Sequence, residues 1–446
     1  HPCSHTDQAR NHSVNIDQLS TDELQSELTG LLEQYDALGK KGLALDLTRG
    51  KPCTGQVALS DGLDGILRGD YKAADGTDTR NYGGLEGLPE ARALFGSVLG
   101  LGAEETLVGG NSSLTMMYQV VEFALSEGLR GPGTAWGNSD SVKFLCPVPG
   151  YDRHFAICEH LGIEMIPVPM LDSGPDMDKA EALVRQDESI KGIWCVPRFS
   201  NPTGCVYDDP TVERMAQLPK IAGDNFLVMW DNAYAVHSLY EDAPALAPID
   251  RYCREHGTMD NVFQFGSTSK VTLAGAGVAF LGSSRQNLAA LTKHLGYQMI
   301  GPDKVNQLRH VRFLRDQDTL TAHMAGHAGF IRPRFETVLA ALESELAGTG
   351  MGSWTHPRGG YFISFDTLPG LASEVVRLAG AIGVKLTPAG ATYPYGIDPG
   401  DSNIRLSPTF PDEQAVAEAV EAFILCVRIA SVRQKLHPQP DRQHPA

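Results

Sequence analysis

From about residue 86 onward, short apolar runs alternate with longer amphipathic stretches. The runs at 106–109, 143–146, 163–168, 191–196, 226–230, 261–265 and 278–282 have the length of strands. Amphipathic segments such as Leu114 to Leu129 and Arg153 to Leu161 separate most of them. This alternation predicts an α/β fold in which a mostly parallel, seven-stranded sheet carries helices on both faces. The runs at 261–265 and 278–282 are joined by a connection too short for a helical crossover, so one antiparallel strand is expected there. A long helical pattern from about Thr321 to Ala347 then leads to a smaller α/β unit with strand candidates at 361–366, 384–387 and 403–406.

Near the start, Ser20 and Glu23 have the spacing of a capping box, and Leu24, Leu28, Leu31, Tyr35 and Leu38 recur every three to four residues. An amphipathic helix is expected from Ser20. Residues 1–15 and 437–446 are polar, contain proline and lack periodicity, which predicts mobile ends. The expected organisation is an N-terminal part of the small domain over 16–70, a large domain over 71–325, and the C-terminal part of the small domain over 326–436.

At 446 residues the chain is long enough for this arrangement. Its 37 basic residues against 54 acidic ones give a formal charge of −17, which repels phosphate backbones and anionic lipid surfaces. Nucleic-acid and membrane partners are therefore not expected. No apolar run approaches the roughly 20 residues that span a bilayer, and the first residues have no signal-peptide core, so a cytoplasmic location is expected. The eight cysteines are dispersed without a Cys-x-x-Cys motif and read as reduced thiols. His323 and His327 have zinc-helix spacing, but no glutamate follows His323 and no third ligand is evident, so no metal is expected.

The chemistry is concentrated in three motifs, each placed where a strand should end. These are Asn201-Pro202-Thr203-Gly204, Asp231-Asn232-Ala233-Tyr234 and Gly266-Ser267-Thr268-Ser269-Lys270. Taken singly they are a turn, a chance tetrapeptide and a loop lysine. Ligands of open α/β sheets bind outside the carboxyl ends of the strands, so the three can converge on one crevice. Lys270 then offers an amine for a Schiff base with pyridoxal 5′-phosphate, and Asp231 a carboxylate that keeps the pyridine nitrogen protonated. Gly109-Gly110-Asn111-Ser112-Ser113, between a strand and a helix, offers free amides and a helix dipole to the phosphate.

These motifs in this order resemble the class I aminotransferases, of the fold type I pyridoxal phosphate enzymes, over roughly residues 45–425. The resemblance implies a catalytic set of Lys270, Asp231 and Tyr234, with Asn201 and Tyr234 hydrogen-bonding the cofactor's phenolic oxygen. It implies cofactor contacts from Ser112, Ser113, Ser267 and Ser269 at the phosphate and from Tyr151, in Pro149-Gly150-Tyr151, on the ring. Tyr82, in Arg80-Asn81-Tyr82-Gly83-Gly84, matches a tyrosine that reaches the neighbouring subunit's phosphate, which implies a homodimer with shared active sites. Arg405, in Asn403-Ile404-Arg405-Leu406-Ser407, matches the arginine that grips the substrate α-carboxylate through a two-point fork. Gly50 matches a glycine close to that carboxylate, and Tyr393 and Gly360 line the mouth.

One position departs from the family. Its phosphate-neutralising arginine falls at 278, which here is Val278. The divergent lysine segment and the loop around Asn201 look most like a bacterial subgroup of aspartate aminotransferases. That resemblance implies amino transfer between L-aspartate and 2-oxoglutarate, by a ping-pong cycle through pyridoxamine phosphate. Transfer from another amino acid, lyase chemistry and a non-catalytic cofactor-sensing module are the alternatives. A dicarboxylic substrate needs a second cation, and Arg49 is the first candidate, followed by Lys143, Arg153 and Arg198.

Overall fold

The computed structural model describes residues 14–438. Most of both terminal segments expected to be mobile thus lies outside the described residues. The main sheet runs, edge to edge, Thr106–Val108, Ala279–Gly282, Val262–Ser267, Leu227–Asp231, Ile190–Cys195, Lys143–Val148 and Glu164–Leu171. These are the seven strands the sequence pattern predicts. An eighth, the two-residue strand Gly174–Pro175, adds antiparallel to the outer edge and is too short to leave a periodic signal. Five consecutive strands of the sheet pair in parallel, while Ala279–Gly282 is antiparallel to both neighbours, as the short connection requires.

Alternation along each strand divides the core into two layers. Leu227 and Met229 pack on one face with Phe144, Trp194 and Phe265, whereas Val228 and Trp230 pack on the other with Leu145 and Ile193. Helices cover both faces, which is why these strands are apolar throughout rather than half polar. Ser113–Ser126 and Asp152–His160 are two of them, close to their expected ranges.

The helix Thr21–Gly39 starts at the expected capping box: the Glu23 amide donates to Ser20 Oγ at 3.3 Å, and the Ser20 amide donates to the Glu23 carboxylate at 2.8 Å. Its buried leucines share a core with the C-terminal helix Glu413–Leu436, and the Tyr35 hydroxyl donates to the Leu378 carbonyl at 2.7 Å. Leu45–Asp46 pairs in parallel with Val384–Lys385. The expected strand 384–387 is thus shorter and stands apart from the three-stranded antiparallel sheet of Gly352–Trp354, Ile363–Thr367 and Asn403–Leu406. The long helix begins at Gln317 rather than Thr321, because the Asp316 side chain caps it through the Thr319 amide.

Phe423, fully buried, meets Phe365 edge-on with ring centroids 5.1 Å apart and joins that sheet to the C-terminal helix. Phe423→Ala should lower unfolding stability by about 3–5 kcal/mol in denaturant titration. A loss below about 1 kcal/mol would show that this contact does not hold the unit together.

Candidate active site

At the carboxyl ends of the strands lies a cavity of about 320 Å³, lined by Ser112, Ser113, Tyr151, Asn201, Asp231, Tyr234, Ser267, Ser269 and Lys270. Nine residues nominated from the sequence thus share one space. The fold brings them there because each follows a strand: Tyr151 follows Lys143–Val148, Asn201 follows Ile190–Cys195, Asp231 ends Leu227–Asp231, and Lys270 follows Val262–Ser267.

Asp231 is 2 % exposed. One of its oxygens is 2.8 Å from His154 Nε2, and the other, Oδ1, is buried with no partner among the described residues. His154 is itself buried and stacks on Trp194 at 4.4 Å with the planes 8° apart. A buried carboxylate oxygen without a partner is costly unless a donor arrives from the cavity. His154 was not foreseen. The available signal was its place three residues after Tyr151, on the same side of a helix entering the site.

Across the cavity, Lys270 Nζ is 5.2 Å from the Tyr234 ring centroid and 5.8 Å from that of Tyr361. Burial holds its amine below the usual lysine range; Asp231 opposes this and Arg405 adds to it. Burial likewise pushes the Tyr234 hydroxyl well above the usual tyrosine range, so it stays a proton donor at neutral pH. The Tyr151 hydroxyl is pushed up to about 12, first by burial and then by Asp231.

The cavity lining also includes a cradle of hydroxyls and amides. Ser112 caps the helix Ser113–Ser126, its Oγ accepting from the Thr115 amide at 3.1 Å, and the Ser267 and Ser269 hydroxyls lie 3.1 Å apart. Asn111, from the same segment, joins the lining and donates to the Gly275 carbonyl at 3.3 Å. Val278 is 1 % exposed and packs in the core with Phe95, Val271 and Phe280, so no charged side chain could be accommodated there. Lys270 is the one cation among the described residues that line the cavity.

Six nominated residues lie outside this lining. Arg405, 11 % exposed, sits 4.7 Å over the Phe362 ring. Its Nη1 reaches Asn201 Oδ1 at 3.4 Å and Asp152 at 3.7 Å, its Nη2 reaches the Thr48 carbonyl at 3.3 Å, and its Nε has no partner. Such a loosely held guanidinium has donors to spare for a carboxylate. Gly50 is beside it: a Cβ there would come within 2.3 Å of the Phe362 ring. Tyr393 packs half-buried beside the core and its hydroxyl is pushed up to about 12 by burial, Asp398 and Asp366. Arg49 is exposed, and Tyr82 is 82 % exposed. Gly360 has φ +78° and donates its amide to the His237 carbonyl at 3.0 Å.

The reserve cations differ in their freedom. Lys143 is tied to Asp187 at 2.8 Å, and Arg198 donates to Ala235, Ser238 and Pro244, while Arg153 is exposed. His323 and His327 both turn Nε2 toward the Val271 carbonyl.

The cavity suits the cofactor that the resemblance implies. Asp231 Oδ1 awaits a donor such as a protonated ring nitrogen, Lys270 supplies the amine, and the serines with the helix start supply the anion cradle. Comparison with known proteins points the same way. The family model described as aspartate amino-transferase matches residues 19–439. An aspartate aminotransferase from Corynebacterium glutamicum is 43% identical over 419 residues, 93% of this chain and 96% of its own. A Mycolicibacterium smegmatis relative, provisionally named an aminotransferase, is 46% identical over 95% of this chain and 99% of its own. The crystal structure of an aspartate transaminase from Corynebacterium glutamicum superposes with a TM-score of 0.91 at 42% identity, covering 95% of this chain and 99% of that one.

Borohydride reduction of protein loaded with pyridoxal phosphate should leave the pyridoxyl group on Lys270, as read by peptide mass spectrometry. Label on Lys304, whose amine is held by the Asn81 and Gly83 carbonyls, or on Lys143 would contradict the assignment.

Proposed function

The chain belongs to the aspartate amino-transferase family and takes pyridoxal 5′-phosphate as its cofactor, and we propose that it transfers the amino group of L-aspartate to 2-oxoglutarate, giving oxaloacetate and L-glutamate. The observation that carries the chemistry is the partnerless Asp231 oxygen sharing one cavity with the Lys270 amine. The choice of aspartate is supported by the Corynebacterium glutamicum relative, named as an aspartate aminotransferase.

When bound, the cofactor supplies an aldehyde carbon for the amine and an electron-withdrawing ring that stabilises negative charge at the substrate α-carbon. Asp231 Oδ1 would hold the proton on the pyridine nitrogen, with the carboxylate fixed through its other oxygen by His154. Lys270, its amine kept below the usual range, would be the group that takes the proton from the substrate α-carbon. Tyr234 and Asn201 would donate to the phenolic oxygen, Tyr151 would pack against the ring, and Ser112, Ser113, Ser267 and Ser269 would hold the phosphate. With position 278 buried and apolar, hydroxyls and amides do the work of the family's arginine.

Arg405 grips the α-carboxylate with the donors its present partners leave free, close to Gly50 and with Tyr393 at the mouth. Arg49 reads the side-chain carboxylate; its exposure leaves it free to do so, whereas Lys143 and Arg198 are engaged elsewhere. The active unit is a homodimer in which Tyr82 of one protomer completes the phosphate end of its partner's cavity, a reading supported by its exposure and its absence from the cavity of its own chain. We place the enzyme in the cytoplasm; no helix of the described residues is long and apolar enough to cross a membrane.

Kinetics with a panel of amino donors and 2-oxoglutarate test this reading. Arg405→Ala should cost roughly 10- to 100-fold in kcat/KM for every amino acid, because each has an α-carboxylate. Arg49→Ala should weaken aspartate and glutamate far more than alanine or phenylalanine; equal losses would remove Arg49 as the discriminating cation.

Asp231→Asn should retain the fold and lose roughly two or more orders of magnitude in turnover. Tyr234→Phe should act more mildly and raise the pH at which the bound cofactor changes colour, since one donor to its ionised oxygen is gone. Near-normal turnover of Asp231→Asn would take that residue out of the mechanism.

A further inference from the structure

The segment that carries Lys270 is gripped by four imidazoles the mechanism does not use, and groups with no choice of role set the proton positions. The Cys53 amide can only donate, and it lies 3.0 Å from Gln56 Oε1. Gln56, fully buried, therefore turns its NH2 toward Tyr361 Oη at 3.1 Å and His327 Nδ1 at 3.0 Å. A ring nitrogen that receives an N–H is bare, so His327 carries its proton on Nε2 and donates it to the Val271 carbonyl at 2.8 Å. His323, one turn earlier, donates Nε2–H to the same oxygen at 2.6 Å, using its second lone pair.

The other two imidazoles extend the grip in both directions. His237 Nε2 donates to the carbonyl of Lys270 itself at 3.2 Å, and its bare Nδ1 is buried without a partner among the described residues. His310 donates from Nδ1 to the Asn306 carbonyl at 2.8 Å, so its bare Nε2 accepts from the Thr272 hydroxyl at 2.8 Å. Thr272 Oγ1 in turn accepts from Thr268 Oγ1 at 2.9 Å, which accepts from the Val278 amide at 2.8 Å. A directed chain thus starts at the position where the family's arginine is missing.

We propose that Gln56, His237, His310, His323 and His327 are positioning residues: with the imidazoles held in single tautomers, they pin the Lys270 and Val271 carbonyls and the Thr272 hydroxyl and so aim the lysine side chain at the cavity. The inference rests on Lys270 being the reacting amine. Its physical basis is that a lysine has four rotatable bonds, so only a fixed backbone gives its amine a reproducible start, and a misplacement of about 1 Å can cost about 100-fold in rate.

Neutrality is part of the device, because a charged His327 would turn an N–H toward the Gln56 N–H. Burial pushes His327 and His310 down to about 4 and His237 to about 3. The charged and titratable neighbours are few. His323 faces His327; His327, Lys270 and Arg198 face His237, all disfavouring charge; Arg309 disfavours and Asp303 favours charge on His310.

Two measurements test the proposal. In histidine-labelled protein without cofactor at pH 7, nitrogen-resolved NMR should find His237 and His327 neutral with the proton on Nε2, His310 neutral with it on Nδ1, and His323 with a proton on Nε2. A charged or oppositely protonated His327 or His310 overturns the network, whatever the fate of the functional reading. In the loaded enzyme, His327→Gln keeps an N–H where Nε2 lies, whereas His327→Asn moves it to the Nδ1 side. The asparagine variant should lose about tenfold or more in kcat with KM within about twofold and a shifted colour-change pH, and the glutamine variant should stay within about threefold of the parent. Equal effects of the two, or losses that only follow melting temperature, overturn the positioning role; should neither fold, the NMR result decides.

Discussion

A buried carboxylate with one oxygen satisfied and one left open is the constraint around which this molecule is organised. Asp231 stands at the end of a central strand, almost wholly out of water, and a charge placed there is costly unless it is paired. His154 supplies half of the pairing, and its ring is fixed by the Trp194 stack beneath it. The other half has to come from whatever enters the cavity. The rigid parallel sheet keeps that demand in one place, opposite the Lys270 amine, whose proton affinity the same burial lowers.

The proposed carboxylate-binding arginine depends on a second element of the fold. Arg405 lies on a strand of the three-stranded sheet, yet its guanidinium reaches Asn201 and the Thr48 carbonyl. The two sheets are tied near the site by the Gly150 amide, which donates to the Thr392 carbonyl at 2.8 Å, and Thr392 Oγ1 donates to Asn403 Oδ1 at 2.7 Å, two residues before Arg405. The loop that carries Tyr151 and the strand that carries Arg405 are therefore held in one register.

Most of the fold was legible in the sequence because its signals are local. Alternating apolar runs located the seven strands, a short connection revealed the antiparallel one, and Ser20 with Glu23 marked the first helix. Lys270, Asp231, Tyr234 and Asn201 were legible for the same reason, since each follows a strand within a few residues. Features made by distant segments were not. Gln56 meets His327 across 271 residues, and no spacing rule records such a contact. His154 looked like an ordinary helical histidine until the fold placed it against Asp231. Val278 was visible as a departure, but only its burial beside Phe280 shows why the position holds no cation.

The central claim is that this cavity takes an amino group from one substrate and keeps it until a second arrives. Mixing the loaded enzyme with L-aspartate alone, and measuring oxaloacetate per active site by rapid quench, tests it most directly. One equivalent should form and then stop, with turnover resuming when 2-oxoglutarate is added. Continuous product formation without an oxo acid, or none at all, would contradict the account.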